Sequence, residues 1–442
     1  MNLENPNTPD PSSDLPGKTD LSEATEIARG GRRAVFKNTF ASMAYRDFVW
    51  LWAGQVTHAF ALWVDQIAKP LLILSLTGSP IHLGMILVAR TVPAVGFGLI
   101  AGVVADNFNR RAVLLITKVI VLGLTVVFTA LVVTGLMELW HIYAYNVLRG
   151  ATMAFDQPAR RAMIPSIVPS HLVTNAMALS TGSMTATRIA GAAGAGLLIS
   201  IFDFGGAYVV TAVMYVGAVF FTWMLRPPDH KRSGYRGVRS MGNDLVEGIK
   251  YSWNAPDIRG VLIISLGWFT FGMAFMQVFA PLFAIQILDI GYTGFGYMVS
   301  VSAVGGLAGA LLLAGTNPSK GRGLIMLGLL AIFGFLLIIF SASTYLLSVP
   351  LAFAMMLLLG MGQSSFFPLI NAVLVEKADE HMRGRVLGVL SLDRATTTLG
   401  GAMAGFMAAA LGAQVAQILF GVGLIATAAV MFLAYPPLRR ID

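Results

Sequence analysis

Twelve long apolar stretches run through this 442-residue sequence, and the connections between them alternate strictly in basic charge. The tails and the even-numbered connections carry lysine and arginine, whereas the odd-numbered connections carry neither. Because basic residues stay on the cytoplasmic side during membrane insertion, this alternation predicts an even number of crossings with both tails in the cytoplasm. A bilayer core about 30 Å thick needs about 20 helical residues, which each stretch supplies. The sequence therefore predicts an all-α integral membrane protein.

The stretches divide into two sets of six, which predicts twelve transmembrane helices in two pseudo-symmetric six-helix bundles. Their approximate positions are 48–76, 83–104, 112–136, 140–158, 175–201, 207–225, 260–287, 295–315, 323–342, 347–375, 386–410 and 414–436. The expected domains are a disordered cytoplasmic tail, an N-terminal bundle, a cytoplasmic linker and a C-terminal bundle with a short tail: 1–44, 45–226, 227–258 and 259–442. The four-residue spacing of Leu245, Ile249 and Trp253 predicts a short interfacial helix in the linker.

Composition excludes several classes of function. Hydrophobic residues make up 56% of the chain and charged residues 12%, far from the values of soluble domains. The sequence has no cysteine, which excludes disulfides and thiolate metal sites. The net charge of +8 follows from the basic loops and needs no nucleic-acid partner. Since no nucleotide-binding or metal-ligand pattern is present, we expect no cofactor, no metal, no enzymatic activity and no primary pump.

The two halves repeat one another, as in many transporters. Gln66 precedes Pro70 by four residues in span one, and Gln277 precedes Pro281 by four residues in span seven. Spans five and eleven share one spacing of small residues: Thr187, Gly191 and Gly196, and Thr396, Gly400 and Gly405. This repeat predicts a substrate site between the bundles near the middle of the bilayer.

Charged and polar residues inside the spans are the candidates for a substrate or proton pathway. A charge at the bilayer centre costs about 2.5–3.5 kcal/mol on insertion scales, so these residues should face the protein interior or a wet cavity. The candidates are Asp65, Gln66, Lys69, Arg90, Asn146, Arg149, Arg188, Gln277 and Gln363. Asp65 precedes Lys69 by four residues, the spacing of an ion pair on one helix face. A structural pair without a role in transport, and hydrogen bonds between helices for the amides, remain equally open.

The connection after span two resembles a known signature. It reads Gly-Val-Val-Ala-Asp-Asn-Phe-Asn-Arg-Arg over 102–111 and resembles the loop Gly-x-x-x-Asp-Arg-x-Gly-Arg-Lys/Arg of the major facilitator superfamily. Asn107 and Asn109 depart from that pattern. Leu-Trp-Ala-Gly-Gln at 51–55 and Arg-Gly-Arg-Val at 383–386 are similar to the bacterial branch with enterobactin exporters and macrolide-efflux proteins.

The resemblance implies roles for particular residues. Gly102 and Asp106 would belong to a conformational latch in which Asp106 caps span eleven, and Arg110 would pair with Asp156. Alternatively, Arg110 only determines the topology and has no role in the latch. Arg149 matches a position associated with proton coupling. The glycine-rich run with Gly191, Gly194 and Gly196 resembles the antiporter motif of exporters, but Ala192 replaces its proline, so close helix packing, also expected at Gly400 and Gly405, is the better-supported role.

Together these features predict a secondary-active transporter that exports a small organic molecule by alternating access, in exchange for protons. The expected partners are the substrate, protons and the lipid bilayer, and the expected location is the bacterial plasma membrane. Three alternatives stay open: an uncoupled or importing facilitator, a transporter of lysophospholipids or other amphiphiles, and a non-transporting membrane sensor or scaffold.

Overall fold

The computed structural model describes residues 39–226, 238–316, 320–390 and 392–441, and these form helices without any strand. The helices of the first half are α1 Arg46–Thr77, α2 Pro80–Asn107, α3 Arg110–Val133, α4 Leu139–Ile167 and α5 Val173–Met224. Helix α6, Val238–Asn254, lies in the linker. The second half has α7 Pro256–Ile287, α8 Gly291–Thr316, α9 Arg322–Thr344, α10 Val349–Lys377, α11 Arg383–Leu390, α12 Asp393–Leu411, α13 Ala413–Ala434 and α14 Pro436–Arg439.

Each of the twelve predicted stretches falls in helix, but their division differs at two points. Stretches five and six form the single element α5, interrupted where Asp203 takes the left-handed φ of 56°. Stretch eleven is divided into α11 and α12. Within the described ranges, nine helical segments are long and apolar enough to cross a membrane, and one of them, Ser170–Met224, contains both stretches five and six. The all-α membrane fold is confirmed, and the count of twelve crossings stays a prediction.

The linker and the tail differ in extent from the expectation. The linker contains a helix of 17 residues, in which the side chain of Leu245 lies outside the described residues, and its place at the membrane interface stays a prediction. Residues 1–38 also lie outside the described part, so the expected disorder there is untested. The end of that expected tail is folded: Ala41–Ala44 forms a 3₁₀ helix, and the Ser42 hydroxyl donates to Asn175 Oδ1 at 2.7 Å.

Helix ends define two sides of the molecule. The backbone N–H of Arg226 donates to Asp47 Oδ1 at 3.0 Å, which joins the end of α5 to the start of α1. Arg259 Nε donates to the Tyr435 hydroxyl at 2.9 Å and joins the start of α7 to the end of α13. We call this side, which also holds α6, the linker side. On the far side, Gln286 Nε2 donates to the Gly78 carbonyl at 3.2 Å.

Two helix crossings join the halves toward the far side. Where α5 crosses α8, the Thr293 hydroxyl donates to the Gly196 carbonyl at 3.4 Å, and a Cβ on Gly196 would lie 2.6 Å from the Tyr292 carbonyl oxygen. Where α2 crosses α12, a Cβ on Gly405 would lie 2.8 Å from the Pro80 carbonyl oxygen. We call these crossings the far-side seams. Small residues allow both approaches.

The glycine contacts follow the predicted internal repeat. Gly191 of α5 packs on Trp63 of α1, where an added Cβ would lie 2.8 Å from the Trp63 Cβ. Its counterpart Gly400 of α12 packs on Thr270 of α7, where an added Cβ would lie 1.8 Å from the carbonyl oxygen. Gly194 is different, because an added Cβ would make an ordinary 3.5 Å contact with the Phe60 ring. Corresponding glycines therefore contact corresponding helices. At position 194 of the glycine-rich run, helix packing does not require a glycine.

Candidate functional site: a buried charge cluster between two cavities

Helix α1 places a carboxylate and an ammonium on one face, where they form a buried pair. Lys69 Nζ lies 2.8 Å from Asp65 Oδ2, and the two residues are 6% and 1% exposed. Lys69 Nζ also donates to Asn146 Oδ1 at 3.1 Å, while Asn146 Nδ2 donates to the Ile142 carbonyl of its own helix, α4. The predicted i,i+4 contact is present, and Asn146 fixes the ammonium on the α4 side.

Arg149 of α4 supplies a second cation to the same carboxylate. Its Nε lies 3.7 Å from Asp65 Oδ2. Its Nη1 donates to the Tyr145 hydroxyl at 3.0 Å, and its Nη2 donates to the Tyr215 hydroxyl. Tyr208 donates to Asp65 Oδ1 at 3.4 Å. The cluster thus holds one carboxylate against two cations, an excess of one positive charge in a region that is costly for any charge.

The first of two cavities lies between the halves, and we call it the central cavity. Its walls come from α1, α2, α4, α7 and α8. Six of the predicted pathway residues line it: Asp65, Gln66, Lys69, Arg90, Asn146 and Gln277. Arg90 Nη2 donates to Gln277 Oε1 at 3.4 Å across the two halves. Gln277 lies in Phe275–Phe279, one of three π-helical segments of α7, and such segments are frequent at functional sites.

Arg188 and Gln363 lie beside the central cavity but do not line it. Arg188 Nη2 donates to Gln363 Oε1 at 3.1 Å, which connects α5 to α10. The guanidinium carbon of Arg188 lies 5.3 Å from the centroid of the Trp63 ring, and Trp63 does line the cavity. The contact of Arg188 with Gln363 adds a further hydrogen bond between the halves, beside those of Arg90, Gln286 and Thr293.

The second cavity lies inside the first half, and we call it the bundle cavity. Its polar wall comprises His58, Thr117, Lys118, Arg149, Thr152, Asp156, Gln157 and Arg160. The His58 ring makes an edge contact with Tyr215 at a centroid distance of 5.4 Å, and its Nδ1 has no hydrogen-bond partner in the described part of the chain. Arg149 lines the bundle cavity and Asp65 lines the central cavity. The 3.7 Å contact between them therefore separates the two cavities.

The ion pairs of Asp156 correct one expectation. Lys118 Nζ lies 2.8 Å from Asp156 Oδ1, and Arg160 Nε lies 3.7 Å from Oδ2. Arg110 is not an ion-pair partner of Asp156 in the described residues, so that part of the expected latch is wrong. Lys118 is buried in α3 and lies eight residues, just over two helical turns, beyond Arg110, the basic partner that the resemblance suggested.

The rest of the latch stays a prediction. Gly102 and Asp106 lie in α2, but the surroundings of Gly102 and the side chain of Asp106 are outside the part that the structure describes. Arg110 is the first residue of α3. Asn109, a departure from the signature, caps that helix: its Oδ1 accepts from the backbone N–H groups of Arg111 and Ala112 at 3.0 and 3.2 Å. An asparagine directly before a helix is a recognisable cap signal, so this role was readable from the sequence.

The folded halves, their seams and a buried charged site between them define a transporter of the major facilitator type. Residues 37–441 match the family described as transmembrane secretion effector, and the chain belongs to this family.

Similar proteins with curated names are bacterial transporters. The multidrug efflux pump Tap of Mycolicibacterium fortuitum is 27% identical over 86% of this chain and 93% of its own length. The staphyloferrin A transporter of Staphylococcus aureus is 23% identical over 76% of this chain and 83% of its own. Macrolide efflux protein A of Streptococcus pyogenes is 22% identical over 72% of this chain and 74% of its own.

Solved structures with the same fold are also transporters. A bacterial homologue of the human lysosomal transporter Spinster, in an inward-facing and unoccupied conformation, aligns with a TM-score of 0.70 at 15% identity and covers 89% of this chain and 97% of that one. A nucleoside transporter aligns with a TM-score of 0.72 at 13% identity and covers 88% and 100%. These structures show that the fold is shared. With the family match and the similar bacterial transporters, this chain is a membrane transporter of the superfamily that the signature loop indicated.

Proposed function

We propose that this protein exports a small organic molecule across the bacterial plasma membrane in exchange for protons, with both termini in the cytoplasm. Export is supported by the relatives, among which are a multidrug efflux pump and a macrolide efflux protein. The observation that carries the coupling is the position of Asp65, whose carboxylate lies between the central cavity and the bundle cavity.

The bonds of Asp65 supply a chemical basis for exchange. A deprotonated Asp65 holds Lys69 and Arg149 by charge and accepts from Tyr208. A proton bound to the Asp65 carboxylate prevents a substrate from donating a hydrogen bond to it, so the proton and the substrate exclude one another. Mutual exclusion at one site is what antiport requires, because each ligand then crosses only when the other has left.

The excess of cations favours neutral or anionic substrates. Lys69 and Arg90 line the central cavity together with Asp65, Arg149 contacts Asp65 from the bundle cavity, and Arg188 lies beside the central cavity. A permanent organic cation would meet uncompensated positive charge at low dielectric, so its binding is unfavourable.

Flux from proteoliposomes tests the proposal. The purified protein is reconstituted with one of three probes, chloramphenicol, staphyloferrin A or ethidium, and a proton gradient is imposed or collapsed. We expect saturable, gradient-driven flux of at least one of the first two and little flux of ethidium. Flux that is the same with and without the proton gradient would indicate facilitated diffusion and not antiport. Flux of ethidium alone would contradict the charge argument.

A further inference from the structure

An apolar groove lies on the linker side, away from both cavities. It is formed by the linker helix α6, helix α7 and the residues around the end of α11. Its apolar wall includes Ile249, Trp253, Leu262, Leu266, Phe269 and Leu390. None of these residues lines the central cavity or the bundle cavity.

The groove runs from the level of the membrane surface into the depth of the hydrocarbon. Arg259 and Trp253 stand at its linker-side end, where α7 begins. Leu266 follows Arg259 by seven residues, which is about 10 Å along a helix axis. Trp253 is 63% exposed and Leu266 is 46% exposed, so the open edge carries a tryptophan at the surface and a leucine deeper down. This is the profile of an amphiphile with its head at the interface.

Arg259 provides a fixed cation at the mouth of the groove. Its Nε and Nη1 donate to the Tyr435 hydroxyl and the Trp253 carbonyl at 2.9 and 3.1 Å. The guanidinium also lies 5.9 Å from the Trp253 ring and 5.5 Å from the Tyr435 ring. Over the part of the chain that the structure describes, Arg259 forms no ion pair and its Nη2 has no hydrogen-bond acceptor. A positioned guanidinium with a spare donor is suited to a phosphate.

Ser252 is a second, independent indication of a ligand. It lines the groove, is 2% exposed, and its hydroxyl has no hydrogen-bond partner among the described residues. Buried hydroxyls are rarely left unpaired. Ser265, also in the wall, differs because its hydroxyl donates to the Val261 carbonyl at 2.7 Å. An occupant with an oxygen beside Ser252 would satisfy the unpaired group.

We propose that this groove binds one anionic phospholipid from the linker-side leaflet. The phosphate lies on Arg259, a glycerol or ester oxygen accepts from Ser252, and one acyl chain follows Leu262, Leu266 and Phe269. A soluble anion would use Arg259 but not the apolar wall. A zwitterionic lipid would use the wall but gain less at Arg259, because its headgroup carries a compensating cation.

The bound lipid would strengthen the docking of the linker on the second half. Glu247 of α6 already pairs with Arg385 of α11 at 2.8 Å. Gly248 lies so close to Arg385 that an added Cβ would be 2.8 Å from its carbonyl oxygen. The lipid would contact α6, α7 and α11 together. It would so add a third attachment of the linker to the second half, beside the ion pair of Glu247 and the close contact of Gly248. This inference is independent of the substrate and of proton coupling.

Native mass spectrometry of the purified protein tests the site. The protein is titrated in detergent with phosphatidylglycerol or with phosphatidylcholine of the same acyl chains. We expect one phosphatidylglycerol to be retained at about tenfold lower concentration than phosphatidylcholine, as a charge-assisted hydrogen bond implies. Arg259→Gln should remove this preference, and Leu266→Trp should lower the retention of both lipids by filling the groove.

Two variants separate binding from damage to the fold. Ser252→Ala removes only a hydroxyl that bonds to no described residue, so it should leave thermal unfolding unchanged and weaken phosphatidylglycerol retention about threefold. Lys320→Gln removes a charge from an exposed position on the same side and should leave lipid retention unchanged. Equal retention of the two lipids by the wild-type protein would overturn the proposal. So would an unchanged preference in Arg259→Gln, or competition by glycerol phosphate at the concentration at which phosphatidylglycerol binds.

Discussion

At the scale of single residues, the pairing of Asp65 is the central feature. Its carboxylate is almost fully buried, yet it faces Lys69, Arg149 and Tyr208 rather than apolar side chains. Buried pairs of this kind add little net stability, since the desolvation of the charges opposes their attraction. Their retention is more easily explained by a function that needs a titratable group inside the membrane.

Asp65→Asn should uncouple transport from the proton gradient. The amide cannot take up and release a proton, but it keeps the size of the carboxylate, and its one oxygen can accept from Lys69 or from Tyr208, which contact different oxygens of Asp65. We expect gradient-driven flux in proteoliposomes to fall at least tenfold, while exchange of labelled for unlabelled substrate persists.

Asp203→Asn is the matched control for this change. Asp203 is exposed at the far-side break of α5, and asparagine keeps the size of its side chain while removing the charge. Its flux should equal that of the wild type. Gradient-driven flux that survives in Asp65→Asn with its pH profile intact would assign the proton carrier to another group.

The Lys118–Asp156 pair gives a prediction about stability. Lys118→Met leaves Asp156 with Arg160 alone at 3.7 Å, and removing one partner of a buried pair costs about 3–5 kcal/mol. Thermal unfolding in detergent should therefore move to a clearly lower temperature. The double variant Lys118→Met with Asp156→Asn removes both charges and should recover most of the loss. Additive losses in the double variant would show that the two groups do not interact.

At the scale of helices, the far-side seams explain why glycine stands where it does. Both Gly196 and Gly405 face a backbone carbonyl of the opposite half, at distances that leave no room for a methyl group. A population in which the far side opens must separate both crossings. The seams therefore contribute to the balance between conformations.

Gly405→Ala and Gly196→Ala should each favour opening of the far side. The added methyl would lie 2.8 or 2.6 Å from a carbonyl oxygen, so the closed crossing is strained while the open one is not. The measurement is the rate at which an impermeant thiol reagent labels a cysteine at Ser300, which is 8% exposed and bonds to the Ile189 carbonyl across the closed α5–α8 crossing. We expect faster labelling in both variants.

Gly123→Ala serves as the control for the two seam variants. Gly123 lies in α3, and an added Cβ would meet nothing within 4 Å. Its labelling rate should match that of the parent protein. Unchanged rates in Gly405→Ala and Gly196→Ala would mean that the helices accommodate the methyl by a local shift.

Helix boundaries show where a sequence suffices and where it does not. The break at Asp203 falls inside the predicted connection 202–206 but is shorter than predicted, because a turn of a single residue with positive φ has no composition of its own. Helix α4 is not among the candidate spans found by length and hydropathy, since its charges lower the mean. Those same charges, Arg149, Asp156 and Arg160, are why the sequence placed functional residues there.

At the scale of the whole molecule, the basic connections predict which side faces the cytoplasm. The chain has no cysteine, so single cysteines can be introduced without background. Cysteines at the exposed far-side positions Leu136 and Leu346 should react with an impermeant reagent added outside the cell. Cysteines at the exposed linker-side positions Asn109 and Asn254 should react only after the membrane is opened. Reaction of both sets from outside would contradict the topology.

The composition of the central site and the contact of Asp65 with Lys69 were predictable, whereas the ion pairs between different helices were not. Six polar residues were assigned to a cavity because lipid excludes them, and they line it. That Arg149 reaches Asp65, and that Lys118 rather than Arg110 reaches Asp156, depends on the rotation of α3 and α4 about their axes. Hydrophobic periodicity fixes that rotation poorly in a helix that is apolar on most faces.

The far-side seams, where Gly196 of α5 meets α8 and Gly405 of α12 meets α2, also bear on the history of the chain. A half-length ancestor that paired with a second copy of itself would have used one crossing twice, so any substitution there changed both sides of the dimer at once. Fusion of two gene copies removed that restriction. The two crossings of the present chain now differ: Ser300 of α8 donates to the Ile189 carbonyl of α5 at 2.9 Å, whereas Gly405 faces the carbonyl of Pro80.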